Sequence, residues 1–371
     1  MTEPGGRARD LQALEVLHPN LHRRYSGVTT TILAVAPRMA KLAKTALVGR
    51  MTAAGVETIG LRDVISLGAS VPPTRPRRIW HSRRNDEMIT ALILRRLFGL
   101  KLGLVFTSAA QRHHTGLSRW LMGQQDALIC PSPEAAGYLT RPCTIVFHGV
   151  DPERYHPPAD RAADWAATGL PGKYGIGVFG RVRAQKGTDL FIEAMVRLLP
   201  RHPDFTAVVI GLATPKDRPY EEALRRKVEQ VGLADRIIFL GELPAAEVPG
   251  WFRKLSIFVG PQRNEGFGLT TLEAMASGMA VVATTAGAAA HLVEEDVTGH
   301  LVAIEDQGAL NARLDSLMAD LQKVAAFGIA GRARVLERFA IDREAEGIFR
   351  VYESVWAKGA RQPRVDANIS R

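Results

Sequence analysis

Two stretches of the 371-residue chain place charged side chains among glycines at spacings suited to holding a ligand. In residues 264–278, NEGFGLTTLEAMASG, Glu265 and Glu273 are separated by seven residues, with Gly266 and Gly268 between them. Such glycines let backbone approach a ligand closely, and a helix expected to start near Thr270 offers free N–H groups to an anion. A carboxylate beside an anion site needs a different partner. Sugar hydroxyls fit, because a carboxylate accepts several hydrogen bonds from them. On this reading Glu265 grips a hexose whose phosphate sits at the helix start, and Glu273, one turn on, reaches a ribose diol. The plainer alternative for Glu273 is a capping box with Thr270, whose S/T-x-x-E spacing requires no ligand.

The second stretch is residues 179–190, FGRVRAQKGTDL, which follows an expected strand and opens a helix. Arg181 and Lys186 lie in its turn, where two cations can face the two phosphates of a diphosphate leaving group. The plainer reading is a solvated basic loop. Both loops follow strands of one expected sheet, so they converge on one of its edges. No Asp-x-Asp triplet and no convincing His/Cys/carboxylate cluster appears, so neither a metal nor a cofactor is expected.

The elements that must position these loops are short apolar runs alternating with amphipathic helical stretches. Strand candidates are 14–17, 58–61, 78–80, 103–106, 127–130 and 144–147, then 175–179, 207–210, 237–240, 257–259 and 281–283. Strict strand–helix alternation implies parallel sheets with right-handed crossovers, whose ligands sit beyond the carboxyl ends of the strands. Residues 151–172, rich in Pro and Gly, read as a linker. The fold class is therefore α/β, with two doubly wound Rossmann-like domains facing each other across a cleft. The expected boundaries are 1–155 for the first domain, 156–345 for the second and 346–371 for a final segment. Two cysteines, Cys130 and Cys143, form no metal spacing and no disulfide framework, which fits a reducing compartment. No apolar run approaches the roughly 18 residues that span a bilayer, so a cytoplasmic protein is expected.

Charge is unevenly placed. Of the net +10, residues 1–155 carry 21 Lys and Arg against 11 Asp and Glu, while the remainder carries 27 of each. A basic half attracts phosphates, whether of nucleic acid, anionic lipid or an acidic glycolipid, although a solvated surface explains the charge equally simply. Nucleic acid is disfavoured as a partner because no helix-turn-helix, zinc or aromatic RNA-binding signature accompanies the charge.

The GRxxxxKG turn, followed by two glutamates inside EGFGLTTLEAMASG, resembles the retaining nucleotide-sugar glycosyltransferases of family 4, which have the GT-B fold. Ser26-Gly27-Val28-Thr29 is similar to that family's glycine-containing first loop, and His148-Gly149-Val150-Asp151 to the (N/H)GVD that closes its first domain. Residues 80–88, WHSRRNDEM, and 107–114, TSAAQRHH, resemble lipopolysaccharide core mannosyltransferases of α-proteobacteria. The resemblance implies that Arg181 and Lys186 bind the donor diphosphate, Glu265 the donor sugar and Glu273 the ribose. Backbone N–H groups of Gly266, Phe267, Gly268 and Leu269, with Gly27, complete the donor site. It also implies retention of anomeric configuration by front-side displacement, and a last helix crossing back onto the first domain. Where relatives carry a histidine after the strand at 103–106, this chain has Thr107, Ser108 and Ala109. His113 and His114 stand nearby, as either returning or solvent-facing residues.

By this resemblance the donor is GDP-mannose and the acceptor a lipopolysaccharide inner-core precursor of the Kdo-lipid A type. Alternatives are UDP-glucose or UDP-galactose dependent transfer to another envelope glycan, or a nucleotide-sugar epimerase. A membrane-borne acceptor implies a peripheral enzyme on the inner face of the inner membrane, in contact with an anionic surface. Trp80 with Arg75, Arg77, Arg78, Arg83 and Arg84 is the expected contact, with Arg83 and Arg84 facing the acceptor.

Overall fold

The computed structural model describes residues 11–22 and 27–360. Chain contacts divide it into two compact units. One runs up to His148 and resumes at Ile341; the other is Gly149–Ala340.

The first unit is built on seven parallel strands: β1 (Val16–Asn20), β2 (Thr45–Gly49), β3 (Glu57–Ile59), β4 (Arg78–Ser82), β5 (Leu102–Thr107), β6 (Ala127–Cys130) and β7 (Thr144–Ile145). Their order in the sheet is β3-β2-β1-β4-β5-β6-β7. Successive side chains of a strand face opposite ways, and here both faces are covered. Leu17, Trp80, Leu104, Phe106 and Leu128 enter one core with Met88, Leu92 and Leu121 from the helices Asn85–Arg96 and Gly116–Gly123. Val16, Ile79, Val105, Ile129 and Val146 enter the other with Val35 and Met39 of the helix Gly27–Met39.

That second core is completed by the helix Ile341–Ala360, so the chain returns to the first unit at its end, as the resemblance implies. Ile341, Ala345, Ile348, Val351, Tyr352, Val355 and Trp356 form one stripe at helical spacing, and all are buried. The indole N–H of Trp356 donates to the Arg77 carbonyl at 2.9 Å, and the Arg75 guanidinium lies 4.1 Å from the centre of its ring.

The second unit carries β8 (Tyr174–Phe179), β9 (Phe205–Ile210), β10 (Ile237–Gly241), β11 (Leu255–Gly260), β12 (Ala280–Thr284) and β13 (Gly299–Val302), parallel in the order β10-β9-β8-β11-β12-β13. Both sheets reverse their winding once, between β1 and β4 and between β8 and β11. The loops after those strands are where a doubly wound sheet opens a crevice.

Two strands escaped the sequence reading. β2 follows the helix Gly27–Met39 so closely that MAKLAKTALVG reads as continued helix, and β13 has only four residues, one of them His300. The stretch 151–172 is also more than a linker. It holds the helix Arg161–Ala166, and the buried Trp165 packs on β8 where Gly175 leaves no room for a side chain; a Cβ there would lie 2.5 Å from the indole. The Arg161 guanidinium donates to the carbonyls of Leu255, Ser277 and Gly278, and burial lowers its pKa to about 10.

Trp356→Ala removes the largest anchor of the last helix and should cost about 3–5 kcal/mol, as other buried Trp truncations do. Hydrogen exchange should then show lost protection in β4 and β5 of the first unit. Unchanged protection there would mean that the helix contributes nothing to that sheet.

Candidate active site

In the second unit the loops after β8 and β11 flank the winding reversal and are fastened to each other. The Arg263 guanidinium donates to both carboxylate oxygens of Asp189 at 2.8 Å and to the Ala184 carbonyl at 2.6 Å, while its backbone N–H donates to the Gln185 carbonyl at 3.0 Å. Burial alone would raise the Asp189 pKa, but the hydrogen bonds from Arg263 and the Tyr220 hydroxyl outweigh it and hold the carboxyl below its usual range. Gly187 sits where the loops meet. Its φ is +68°, and a Cβ there would lie 1.8 Å from the Pro261 carbonyl oxygen, so only glycine lets the turn close.

This clamp brings Lys186 and Glu265 together: the ammonium donates to a Glu265 carboxylate oxygen, and the other oxygen accepts from the Gly266 N–H at 2.9 Å. Both side chains are about one-fifth exposed. The two charges neutralise each other. An anion competes for Lys186, and a hydroxyl-bearing ligand competes for Glu265.

The helix after the glycine loop is Leu269–Ala276, and its N-cap is Gly268, which has no side chain to satisfy the first amides. Thr270 is therefore already inside the helix, and no capping box forms with Glu273. Glu273 instead lies half-buried, receives a hydrogen bond from Tyr155, and has its pKa pushed by burial to about 7, against the lowering effects of Tyr155 and Arg154. A half-buried carboxyl with so little support is suited to ligand hydroxyls. Arg181, in the same loop as Lys186, is exposed. The structure thus brings Lys186, Glu265, Gly266, Phe267, Gly268 and Leu269 to one strand edge. Sequence reasoning missed Arg263, Asp189 and Tyr155. Arg263 stands two residues before Glu265, but nothing local marks it as the clamp.

In the first unit, a pocket of about 450 Å³ opens beside the ends of β4 and β5, walled by Arg83, Arg84, Arg112, His114 and His148 among others. The Arg84 guanidinium is tied to Asn20, Glu87 and Thr29 at 3.0–3.1 Å, and Glu87, fully buried, also accepts from the Arg83 N–H at 2.6 Å. Arg83 places its guanidinium 3.3 Å from His18 Nδ1, and burial lowers its pKa. His114 reaches Ser108 Oγ at 3.3 Å, and its pKa is lowered by burial, then by Arg112 and His113. His113 turns to the ring of Tyr138 and is absent from the pocket wall. Gly27 opens its helix, while Ser26 lies outside the described residues.

The expected basic membrane contact does not form. Trp80 is fully buried and donates to the Glu87 carbonyl at 3.1 Å, because alternation along β4 aims it into the core. Arg78 is equally buried, donating to the carbonyls of Ser70 and Gln12, and Arg75 pairs with Glu15 at 3.0 Å.

Among the described residues, one group could hold a metal ion: Glu295, Asp296 and His300. Arg313 lies 3.0 Å from Glu295 and Lys323 lies 3.8 Å from Asp296, so the chain's own cations already neutralise it. No helix among the described residues is long and apolar enough to cross a membrane.

Residues 162–334 match the family described as glycosyl transferases group 1. The chain is 45% identical over 350 residues to the lipopolysaccharide core biosynthesis mannosyltransferase LpsB of Rhizobium meliloti, covering 93% of this chain and 99% of that protein. The chain belongs to the group 1 glycosyl transferases. This glycosyltransferase is also 44% identical to the lipopolysaccharide core biosynthesis mannosyltransferase LpcC of Rhizobium leguminosarum, over 93% of this chain and 98% of that one. Among solved structures, it is similar to the C-terminal domain of a group 1 glycosyl transferase from Francisella tularensis, at 43% identity and a TM-score of 0.51, covering 52% of this chain and 100% of that one. It is also similar to HepE of Anabaena, at 18% identity and a TM-score of 0.76, covering 92% of this chain and 100% of that one. The glycosyltransferase has the GT-B fold.

Glu273 provides a pH test. Its folded pKa near 7 lies above the ordinary value of 4.5, so the folded state holds a proton that the unfolded chain releases, and stability falls as pH rises between those values. Glu273→Gln should match the wild-type melting temperature near pH 4.5 and exceed it above pH 7, by about 1–3 kcal/mol of stability. An advantage independent of pH would show that the carboxyl is not held protonated.

Proposed function

We propose that this glycosyltransferase moves mannose, with retention, from GDP-mannose to the inner core of a lipopolysaccharide precursor. The observation that carries the reading is the 45% identity to a lipopolysaccharide core mannosyltransferase over nearly the full length of both chains. The second unit binds the donor and the first binds the acceptor.

In this reading Lys186 and Arg181 face the diphosphate, aided by the amides from Gly266 to Leu269 at the uncapped helix start, and no metal is needed to balance the charge. Glu265, released from Lys186 as the diphosphate arrives, accepts hydrogen bonds from the hexose, and Glu273 accepts from the ribose diol. The bond from the anomeric carbon to the phosphate oxygen breaks as the acceptor oxygen bonds on the same face. The acceptor's proton passes to the departing diphosphate. With no covalent nucleophile in this scheme, the residues act by positioning and by stabilising charge on the leaving group. Arg83, Arg84 and His114 wall the acceptor pocket, and His113, turned to Tyr138, takes no part in it. The enzyme works as a peripheral protein at the cytoplasmic face of the inner membrane.

A donor screen by thermal shift should show GDP-mannose raising the melting temperature more than UDP-glucose or UDP-galactose, since at equal concentration the tighter-binding ligand stabilises more. A larger shift with either UDP-sugar would overturn the donor. Lys186→Ala should lower turnover on the order of a hundredfold. Glu265→Gln should cut transfer while binding GDP at least as tightly as wild type, because the competing carboxylate charge is gone. If calorimetry shows GDP binding lost in that variant, Glu265 shapes the loop and does not read the sugar.

A further inference from the structure

The membrane contact expected around Trp80 is buried, but a different face of the first unit carries the features such a contact needs. The helices Asn85–Arg96 and Gly116–Gly123 lie side by side, joined at both ends: Asn85 Nδ2 donates to Ser118 Oγ at 2.8 Å, and Arg96 Nη2 donates to Gln124 Oε1 at 2.6 Å. The first helix turns Met88, Ala91 and Leu92 into the core yet leaves Ile89 and Ile93 exposed, one turn apart, and the stripe continues through Leu97 and Phe98. Leu97 is 77% exposed. On the second helix Leu117 and Trp120, three residues apart, are 57% and 52% exposed.

Six large apolar side chains left in water by two neighbouring helices mark an interaction surface. Its charge indicates the partner. Residues 88–125 contain no Asp or Glu and five basic residues, Arg95, Arg96, Lys101, Arg112 and Arg119. Arg96, Lys101, Arg112 and Arg119 are exposed. Apolar stripes bordered by Arg and Lys, with an amphipathic Trp among them, match the boundary between acyl chains and anionic headgroups. The helices also begin at the pocket, since Asn85 and Ser118 belong to its wall.

We propose that the face formed by Ile89, Ile93, Leu97, Phe98, Leu117 and Trp120 docks on an anionic lipid surface. Docking there holds the mouth of the pocket near molecules anchored in that surface. The inference extends the reading of a membrane-borne acceptor, but it is testable without transfer.

The full chain is sedimented with vesicles of phosphatidylcholine containing phosphatidylglycerol, or of phosphatidylcholine alone. Binding to the anionic vesicles should be at least about tenfold stronger than to the neutral ones, and about 0.5 M salt should release it by screening. Trp80, Trp165 and Trp356 are buried, and Trp251, half-buried under Lys254, belongs to the second unit, so the blue shift of tryptophan emission on anionic vesicles should come mainly from Trp120. Trp120→Phe should retain binding but lose most of that shift. Leu97→Asp combined with Leu117→Asp should weaken vesicle binding at least about tenfold with the melting temperature unchanged. If that variant fails to fold, the Trp120→Phe measurement still decides. Lys186→Ala should bind vesicles as wild type does, which separates failure of the docking surface from failure of the transfer reading. Equal binding to both vesicle types, wild-type binding by the aspartate variant, or a blue shift that survives Trp120→Phe would overturn the proposal. So would a wild-type dimer that the aspartate variant converts to monomer, because a second copy would then cover the face.

Discussion

The Arg263 guanidinium, gripping Asp189 from one loop to the next, is the contact on which the candidate donor site depends. Parallel strands deliver loops to a common edge, but a sheet spacing of about 5 Å does not by itself set where side chains several residues beyond the strands end up. The bidentate pair sets it. A planar guanidinium meeting both carboxylate oxygens defines distance and orientation together, and its further bond to the Ala184 carbonyl removes the remaining freedom of the turn. Lys186 and Glu265 then meet as a consequence, although the sequence separates them by most of a sheet.

The Lys186–Glu265 pair makes the site neutral. An ammonium and a carboxylate of low exposure would each suffer a large desolvation cost if alone, so their pairing is the least unfavourable resting arrangement. Glu273 resolves the same problem differently. Burial outweighs the support it draws from Tyr155 and Arg154, so it holds a proton up to about pH 7. Both arrangements leave hydrogen-bonding capacity that a phosphorylated, hydroxyl-rich ligand can use, and both make that ligand's binding sensitive to charge. The chemistry of the site is thus set as much by what its carboxylates lack as by what they touch.

The first unit solves a different problem. Its sheet is covered on one face by the helix that ends the described chain, and that helix also reaches polar groups: Tyr352 bonds His81 Nδ1 at 2.6 Å, His81 Nε2 bonds Thr107 at 2.7 Å, and Glu344 pairs with His148 at 2.8 Å. Thr107 and His148 both wall the pocket. Residues distant in sequence therefore stiffen the pocket from behind. The buried His81 shows that the WHSRR segment carries structure.

Composition and local pattern were enough to determine much about this protein. Alternating apolar runs and helices specify two parallel sheets, because each element must bury its own apolar face. Glycines beside Lys186 and Glu265 mark the loops where backbone can meet a ligand. Other features depended on distant contacts that no local window contains. Trp80 and Arg78 read as a surface cluster because their neighbours are basic, yet the pleat of β4 and its place in the middle of the sheet bury both. The apolar stripe through Leu97 and Trp120 stays exposed because no other element among the described residues covers it. Arg263 became a clamp only when the winding of the sheet set β11 beside β8. A residue's chemistry is written in its type, but its partners are chosen by where the sheet order brings the chain.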